Sequence, residues 1–487
     1  MTPVAARLST LITRHLQGPL PVRLRAWDGS ETGPADAPVV VVRSRRALRR
    51  LLWKPGELGL AEAYITGELD VEGDLAAALG AFWGQVRDRG TDGRPRLRPA
   101  GLAEAATIAL RLGALGPRPP APRAARAELS GAPHSAARDR AAISHHYDLS
   151  NDFYALLLDE SMAYSCGYWA RPDAPDYQLT DAQRDKADLV CRKLGLTEGA
   201  RLLDVGCGWG TLSLHAAREY KARVTAVTLS RAQRDFVAER IRREGPAGLV
   251  DVELRHYRDI EGSGYDAVSA IEMGEHVGDA EYPAFATRLY RLLRPRGRLL
   301  VQQMSRGADA PGGGPFIETY IAPDMHMRPV GRTVDQLETA GLEVRSVESL
   351  REHYARTIAA WHQRLEARWD DVVALVGEPT ARVWRLYLVG SELAFAQRRM
   401  GVDQILAVRT PRAGDAGLPA TPRDWYGDEP TGRHPAAPSA PGPAAPSAPG
   451  PASPSARGPA APSVPGPASP SAPDPATPSI PDQATHR

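Results

Sequence analysis

Between residues 201 and 304, short apolar segments alternate regularly with segments of helical periodicity. The strand-like segments read RLLDV at 201–205, RVTAVT at 223–228, VELRHY at 252–257, YDAVSAI at 265–271 and RLLVQQM at 298–304. Helical patterns extend to about Tyr220, to about Arg243 and over 281–293. Short strands that alternate with helices are typical of a parallel sheet covered by helices on both faces. We therefore predict a doubly wound α/β domain.

Changes in composition divide the 487 residues into three parts. Residues 1–127 contain short apolar runs and end in a Pro/Arg-rich stretch, which predicts a smaller N-terminal domain with a basic linker. Residues 128–415 carry the α/β pattern. In 416–487 an eight-residue unit such as PSAPGPAA recurs, and this Pro/Ala/Ser composition cannot bury a core. We expect a disordered tail.

Charge and cysteine content restrict the classes of protein. Lys+Arg 60 against Asp+Glu 58 gives a net charge of +2, which creates no overall field that selects nucleic acid. The three cysteines cannot all pair and show no CxxC spacing, which predicts a reducing cytosol and no metal site. The N-terminus lacks a signal pattern, and no apolar run reaches the roughly 18–20 residues that span a bilayer. We expect a cytoplasmic protein whose membrane contact is peripheral.

One segment is strongly basic despite the balanced total. Residues 94–126 carry seven arginines with Glu104 as the single acid, and RSRRALRR at 43–50 is a second basic run. The apolar residues of the first segment are Leu102, Ile108, Leu110, Leu112 and Leu115. Because arginines attract anionic headgroups while apolar side chains enter the interface, this region is predicted to dock on an anionic membrane. The alternative is a solvated interdomain linker.

Three glycines follow the first strand-like segment, in the order Asp204-Val-Gly206-Cys-Gly208-Trp-Gly210. Glycine lets the backbone approach a ligand closely, and the helix that follows offers free N–H groups to an anion. The pattern DxGxGxG at this position favours S-adenosylmethionine over a dinucleotide, whereas the alternative is a structural tight turn. The second strand ends in VTLSRAQ without the acid that usually binds the ribose.

Four motifs carry a resemblance to a known family: HHYDLSNDFYALLLDESMAYSCGYW (145–169), LLDVGCGWG (202–210), VTLSRAQ (227–233) and EHVG (275–278). With them the chain resembles, over roughly 140–410, the cyclopropane fatty acid synthases and their relatives that install methyl or methylene branches. LGLAEAYITGEL resembles the N-terminal domain of longer members. The resemblance implies a class I methyltransferase domain and transfer of a methyl group from S-adenosylmethionine to the cis double bond of an unsaturated acyl lipid. The implied product is cyclopropane or methylene-branched.

The resemblance also implies site residues. Cofactor contacts fall on Tyr164, Ser165, Gly206, Gly208, Thr228, Leu229 and Gln233, with Tyr257 beside the adenine; Asp204 joins these candidates. The resemblance implies that a bicarbonate ion is the base that removes a proton in this family. The positions that match the ligands of this ion are Cys166, Glu275, Gln302, Met304 and Tyr354. Cys166 is a candidate site residue because of its position, and it is not predicted to act as a catalytic thiolate.

Three residues depart from the family pattern. Gln302 replaces a histidine, or Gln303 does if a gap shifts the alignment by one. Glu272 replaces a glycine, and Gly274 replaces an aromatic residue. Because Glu272 would repel a bicarbonate, we hypothesise that its carboxylate replaces that ion, with Gln302 bound to it and Gly274 leaving room. Residues three apart on a strand face opposite sides, so Glu272 and Glu275 share a cavity only if a turn begins by Met273. Otherwise Glu272 is a satisfied polar residue.

Aromatic faces stabilise cations, and five candidates lie in the first motif: Tyr147, Phe153, Tyr164, Tyr168 and Trp169. The alternative places some of them in the core. Rival functions are an RNA or small-molecule methyltransferase and a non-catalytic lipid-binding protein. The basic segment lacks the interleaved aromatics that stack on bases, so nucleic acid is not expected. A homodimer is left open.

Overall fold

The computed structural model describes residues 2–16, 18–87, 107, 110–124, 131, 134, 138–139, 142, 150–244, 248–308 and 312–426. All of them belong to the unit Met1–His434. The repeat sequence predicted to be a disordered tail lies outside the described residues from 427 onward. None of the helices in the described ranges is long and apolar enough to cross a membrane.

The N-terminal domain is a four-stranded sheet with helices packed on it, in the strand order β2-β1-β3-β4. Its strands are β1 (Arg23–Ala26), β2 (Glu31–Thr32), β3 (Val39–Val42) and β4 (Leu69–Glu72), and its helices are α1 (Val4–Leu16), α2 (Arg45–Trp53), α3 (Glu57–Ile65) and α4 (Leu75–Arg87). The VVVV run forms β3 because β-branched residues suit a half-buried strand. The domain's core joins Leu8, Leu24 and Val42.

Residues 110–124 lie against α2. The Arg49 side chain donates to the carbonyl oxygens of Ala114 and Leu115, each at 3.0 Å, and Trp53 Nε1 donates to the Gly116 carbonyl at 3.1 Å. These bonds hold the described part of the predicted linker to the N-terminal domain.

Only part of the predicted apolar face of this segment is exposed to solvent. Leu112 is buried in the core of the N-terminal domain, so its predicted insertion into a membrane is wrong. Leu110 and Leu115 are 64% and 46% exposed. Leu102 and Ile108 lie outside the described residues.

A seven-stranded sheet in the order β10-β11-β9-β8-β5-β6-β7 forms the second domain. The strands are β5 (Arg201–Val205), β6 (Arg223–Thr228), β7 (Val250–Leu254), β8 (Tyr265–Ile271), β9 (Leu293–Ser305), β10 (Glu343–Ser349) and β11 (Gly401–Val408). Only β11 runs antiparallel to its neighbours within this sheet. The predicted doubly wound α/β architecture is confirmed, whereas β11 was not predicted.

Helices cover both faces of this sheet and extend beyond it. They are α5 (Asn151–Leu157), α6 (Leu179–Leu194), α7 (Thr211–Tyr220), α8 (Arg231–Glu244), α9 (Tyr282–Leu292), α10 (Pro315–Tyr320), α11 (Val330–Thr339), α12 (Arg351–Ala367), α13 (Trp369–Val376) and α14 (Glu378–Ala396). The order of strands reverses between β5 and β8, and ligands of such sheets bind at the carboxyl ends of the strands at this point.

The two domains share one apolar cluster. Ala61 and Ile65 of α3 pack in the same cluster as Phe316 of α10 and Trp384 of α14. A polar contact accompanies this packing, because the Tyr320 hydroxyl donates to Glu62 at 3.3 Å. The N-terminal domain therefore rests on helices that lie between β9 and β11 in sequence.

The folded part of the chain continues past the predicted boundary at residue 415. A short 3-10 helix, Pro422–Trp425, places Trp425 in a buried cluster with Leu189 and Leu406. The Tyr426 hydroxyl donates to Glu348 at 3.0 Å. The segment up to residue 426 thus packs on the α/β domain.

Candidate active site

A cavity opens at the carboxyl ends of β5, β6 and β8, and the glycine loop forms one wall. Gly206 and Gly208 have φ of +81° and +53°, a conformation that favours glycine. A Cβ on Gly206 would lie 3.1 Å from Met273 Cγ, whereas one on Gly208 would meet no atom within 4 Å. The loop therefore leaves space beside its backbone, which suits close approach of S-adenosylmethionine.

Asp204 supports this loop from the end of β5. Its two carboxylate oxygens accept hydrogen bonds from Ser213 (2.7 Å) and Ser269 (2.9 Å). Burial raises the pKa of Asp204, and both hydroxyl donors oppose that rise. Asp204 lines the cavity, but protein donors already engage both oxygens.

The polar residues at the end of β6 bind one another. The Thr228 hydroxyl donates to Gln233 Oε1 at 2.7 Å, and the Gln233 backbone N–H donates to Ser230 Oγ at 3.2 Å. Thr228, Leu229 and Gln233 all line the cavity. This turn lies at the end of the second strand of the α/β domain, where the acid that usually binds the ribose is missing.

Several cavity residues were missed by the sequence analysis. Asp139 approaches His256 Nε2 at 3.6 Å and Arg258 Nη1 at 4.0 Å, next to the predicted adenine neighbour Tyr257. Asp324 pairs with Arg138 at 2.5 Å. These contacts join distant parts of the chain, and no local pattern signalled them.

Lys186 of α6 was also missed, although a signal was present. It lies on the buried helix face with Ala182 and Val190, four residues to either side, where a lysine is unusual. Its Nζ donates to Ser165 Oγ at 3.0 Å, and both residues line the cavity. Burial lowers the pKa of Lys186, and Glu272 is the strongest of the nearby groups that raise it.

Glu272 occupies a sharp turn at the end of β8. The strand stops at Ile271, and Glu272 has φ of +50°, which is uncommon for a residue with a side chain. Glu272 Oε1 accepts from the Cys166 backbone N–H at 2.7 Å and from Gln302 Nε2 at 2.9 Å. Oε2 accepts from the Tyr354 hydroxyl at 2.5 Å. Three predicted site residues thus converge on one carboxylate.

Glu275 follows in a 3-10 helix, Gly274–His276, and its side chain is buried. Its Oε1 accepts from the Met304 backbone N–H at 2.5 Å. Oε2 has no hydrogen-bond partner among the residues that the structure describes. The turn at Met273 brings both acids to the same buried region.

The two carboxylates do not share charge equally. Burial raises the pKa of both, and the charge of Glu272 raises that of Glu275 further. Hydrogen bonds from Tyr354, Cys166 and Gln302, together with the charge of Lys186, lower the pKa of Glu272. Glu272 is therefore the better site for the negative charge, and Glu275 for a proton.

Comparison with known proteins identifies the family. The family model described as "Mycolic acid cyclopropane synthetase" matches residues 134–405. The chain belongs to this family. A "Probable fatty acid methyltransferase" of Pseudomonas putida is 37% identical over 419 residues, 84% of this chain and 96% of the relative.

Two further comparisons agree. A tuberculostearic acid methyltransferase of Mycobacterium tuberculosis is 32% identical over 83% of this chain and 92% of its own length. The crystal structure of mycolic acid cyclopropane synthase CmaA1 complexed with SAH and CTAB is 31% identical, covers 55% of this chain and 98% of that chain, and has a TM-score of 0.52. This mycolic acid cyclopropane synthetase family member is an S-adenosylmethionine-dependent methyltransferase.

The departures from the family pattern have different structural roles in this cyclopropane synthetase relative. A Cβ on Gly274 would lie 2.0 Å from Oε1 of Gln303, which accepts from the Tyr282 hydroxyl at 2.7 Å. Gly274 therefore leaves room for Gln303, and the three atoms nearest to such a Cβ belong to Gln303 and Tyr282. It is Gln302 that faces Glu272.

The predicted aromatic residues divide between cavity and core. Tyr164 lines the cavity, and its hydroxyl lies 3.0 Å from that of Tyr387. Phe153 is wholly buried, Tyr168 stacks on His353 at 4.8 Å, and the Trp169 backbone N–H donates to His353. Tyr147 lies outside the described residues.

Cys166 contributes its backbone to the site of this methyltransferase. Its N–H donates to Glu272, while its Sγ points to the carbonyl of Leu350 at 3.7 Å. Burial raises the pKa of the thiol, followed by the charge of Glu272. The thiol therefore stays protonated.

Proposed function

We propose that this methyltransferase adds a methyl group to the cis double bond of an unsaturated lipid acyl chain and that Glu272 accepts the proton released afterwards. The observation that carries the proposal is the convergence of Cys166, Gln302 and Tyr354 on Glu272. The family resemblance assigns these three positions to binding of a bicarbonate base. A carboxylate of this chain lies among them instead.

The cofactor is held by the glycine loop, by the β6 turn and by Lys186. Backbone N–H groups of the loop and the Lys186 ammonium suit the carboxylate of its amino acid part. His256 and Tyr257 line the part of the cavity that suits the adenine. When bound, S-adenosylmethionine supplies an electrophilic methyl group on a positively charged sulfur.

The protein must exclude water from the site and stabilise the positive charge that forms on the substrate. An alkene has no proton to lose before it reacts, so no activated nucleophile is needed. Once one alkene carbon has gained the methyl group, its neighbour carries a positive charge. The Tyr164 ring offers an aromatic face to such a cation, and the half-buried Glu272 carboxylate in the cavity wall is a base.

The proton that Glu272 removes decides the product. Removal from the added methyl group closes a cyclopropane ring. A hydride shift followed by proton loss from that group leaves a methylene branch, and capture of water is a third outcome. The relatives named as a probable fatty acid methyltransferase and as a tuberculostearic acid methyltransferase are matched over more than 90% of their own length, which supports a branched product.

The decisive experiment is mass spectrometry of fatty acid esters from cells with oleate-rich membranes that express the protein or its Glu272→Gln variant. We expect the wild type to produce esters one CH2 heavier than the unsaturated parent. Fragmentation then separates the ring from the branch, and Glu272→Gln yields neither. With purified protein and labelled cofactor, label in RNA and none in vesicle lipid would contradict the proposal and favour the RNA methyltransferase.

We further propose that the protein reaches its lipid from the cytoplasmic side through a basic face made of residues 43–54 and 110–124. This face contains no acidic residue in sequence. Arg45, Arg46, Arg111 and Arg118 are exposed on it. Trp53 is 54% exposed, and tryptophan prefers membrane interfaces. Charge of one sign beside exposed apolar side chains suits an anionic lipid surface.

A further inference from the structure

A row of buried polar side chains leads away from Glu272 through the sheet. Gln302 of β9 and Gln404 of β11 are directly opposite in the antiparallel register, and Gln404 Nε2 donates to Gln302 Oε1 at 2.9 Å. Lys193, in the last turn of α6, donates from Nζ to Gln404 Oε1 at 2.8 Å. Lys193, Gln302 and Gln404 are each at most 1% exposed.

The donor and acceptor pattern of this row has one direction. An ammonium can only donate, so the atom of Gln404 that faces Lys193 must be its oxygen. The NH2 group of Gln404 then faces Gln302, whose oxygen must accept from it. The NH2 group of Gln302 is thereby turned to Glu272. The ammonium of Lys193 thus sets the orientation of two amides in succession.

We propose that Lys193 and Gln404 are positioning residues that hold the Gln302 amide with its NH2 group toward Glu272. The proposal rests on the proposed role of Glu272 as the base. A reversed Gln302 amide would present its oxygen to the carboxylate, which repels the ionised form and destabilises the base. Glutamine side chains do not carry protons under ordinary conditions, so the row orients Glu272 and does not conduct its proton.

The outer end of the row is anchored by residues beyond the predicted domain boundary. Lys193 pairs with Glu348, and the Tyr426 hydroxyl donates to the same carboxylate at 3.0 Å. The Lys193 ammonium also lies 5.9 Å from the centre of the Tyr426 ring. Burial lowers the pKa of Lys193, and the charge of Glu348 opposes this shift, because an ion pair offsets part of the cost of burial.

The sharpest variant is Gln404→Glu, which has nearly the same shape. A glutamate at 404 pairs with Lys193 but offers no donor to Gln302, so the Gln302 amide must reverse to donate outward. We expect the acidic limb of the kcat profile to move up by about one pH unit or more, since the ionised base loses a donor, faces an oxygen and lies near an added carboxylate. The KM for S-adenosylmethionine should not change.

Lys193→Met should shift the same limb in the same direction by less, because the two amides become free to turn but are not reversed. Lys221→Met, which removes an exposed ammonium at the end of α7, is the matched control. The other titratable groups near Glu272 are Glu275, Lys186, Tyr354, Cys166 and Tyr387, and all are retained. The titratable groups near Lys193 are Glu348 and Tyr426.

A second measurement separates this proposal from the role of Glu272. Infrared difference spectra against Glu272→Gln follow the ionisation of Glu272 without turnover, and we expect its pKa to rise in Gln404→Glu. An unshifted titration and pH profile in a folded Gln404→Glu protein would overturn the positioning proposal, even if Glu272→Gln is inactive. Full activity of Glu272→Gln would overturn the base, while the infrared titration still tests the amide row.

Discussion

The Tyr354 hydroxyl donates a hydrogen bond to Glu272 Oε2 at 2.5 Å, across 82 residues of sequence. Tyr354 is buried and Glu272 is half-buried, and Gln302 and the Cys166 N–H occupy the other carboxylate oxygen. All of these donors favour the ionised form of Glu272. They offset part of the burial that raises its pKa.

Removal of the Tyr354 hydroxyl should shift the pH dependence of catalysis. A hydrogen bond to a charged group contributes roughly 1.5–3 kcal/mol, which corresponds to about 1–2 pH units. We expect Tyr354→Phe to move the acidic limb of kcat upward by that amount and to leave cofactor affinity unchanged. Tyr290→Phe is the control, because Tyr290 lies on α9 and its ring packs against Arg409. An unchanged limb in Tyr354→Phe would contradict the assigned base.

Exchange of Glu272 for glycine should separate stability from activity. The backbone at Glu272 has φ of +50°, which glycine adopts without strain, and the exchange also removes a carboxylate whose pKa is raised by desolvation. We expect Glu272→Gly to unfold at an equal or higher temperature than the wild type but to lose product formation.

The space left by this exchange also permits a rescue test. Bicarbonate or formate should restore part of the activity of Glu272→Gly, because the donors of Cys166, Gln302 and Tyr354 remain. The wild type should be insensitive to bicarbonate, measured in degassed buffer with labelled cofactor. A wild type that requires bicarbonate would show that Glu272 does not replace it.

Glu275 should make the protein less stable as pH rises. Its pKa is raised in the folded state by burial and by Glu272, so the folded protein holds a proton that the unfolded chain releases. The free energy of unfolding therefore falls with pH from the ordinary glutamate pKa up to the raised one. We expect Glu275→Gln to flatten this slope in urea titrations between these limits. A slope equal to that of the wild type would contradict the protonated state.

Membrane binding should depend on the basic face and on salt. We expect the double variant Arg46→Glu/Arg118→Glu to reduce flotation with anionic vesicles, and Trp53→Ala to reduce it at every salt concentration. Arg242→Glu/Arg243→Glu, at two exposed arginines of α8, makes the same change in net charge outside this face. Flotation of the wild type that does not weaken with salt would remove the electrostatic part of the proposal.

Local patterns predicted the α/β domain well because its signals are short in range. The predicted bounds of β5, β6 and β8 coincide with the observed strands, since apolar runs bounded by turns are complete within a few residues. β11 was missed because Gly401–Val408 becomes a strand through antiparallel pairing with β9. Leu112 was misplaced because its burial depends on helices far away in sequence.

The sequence by itself determined the family, the cofactor class and the unusual presence of an acid at position 272. It could not determine what that acid contacts, because Cys166, Gln302 and Tyr354 are between 30 and 106 residues away from Glu272. The tertiary structure decided this through the left-handed turn after β8 and the pairing of β9 with β11. Hydrogen-bond geometry is set by such long-range packing, whereas residue identity alone shows only which groups are present to form it.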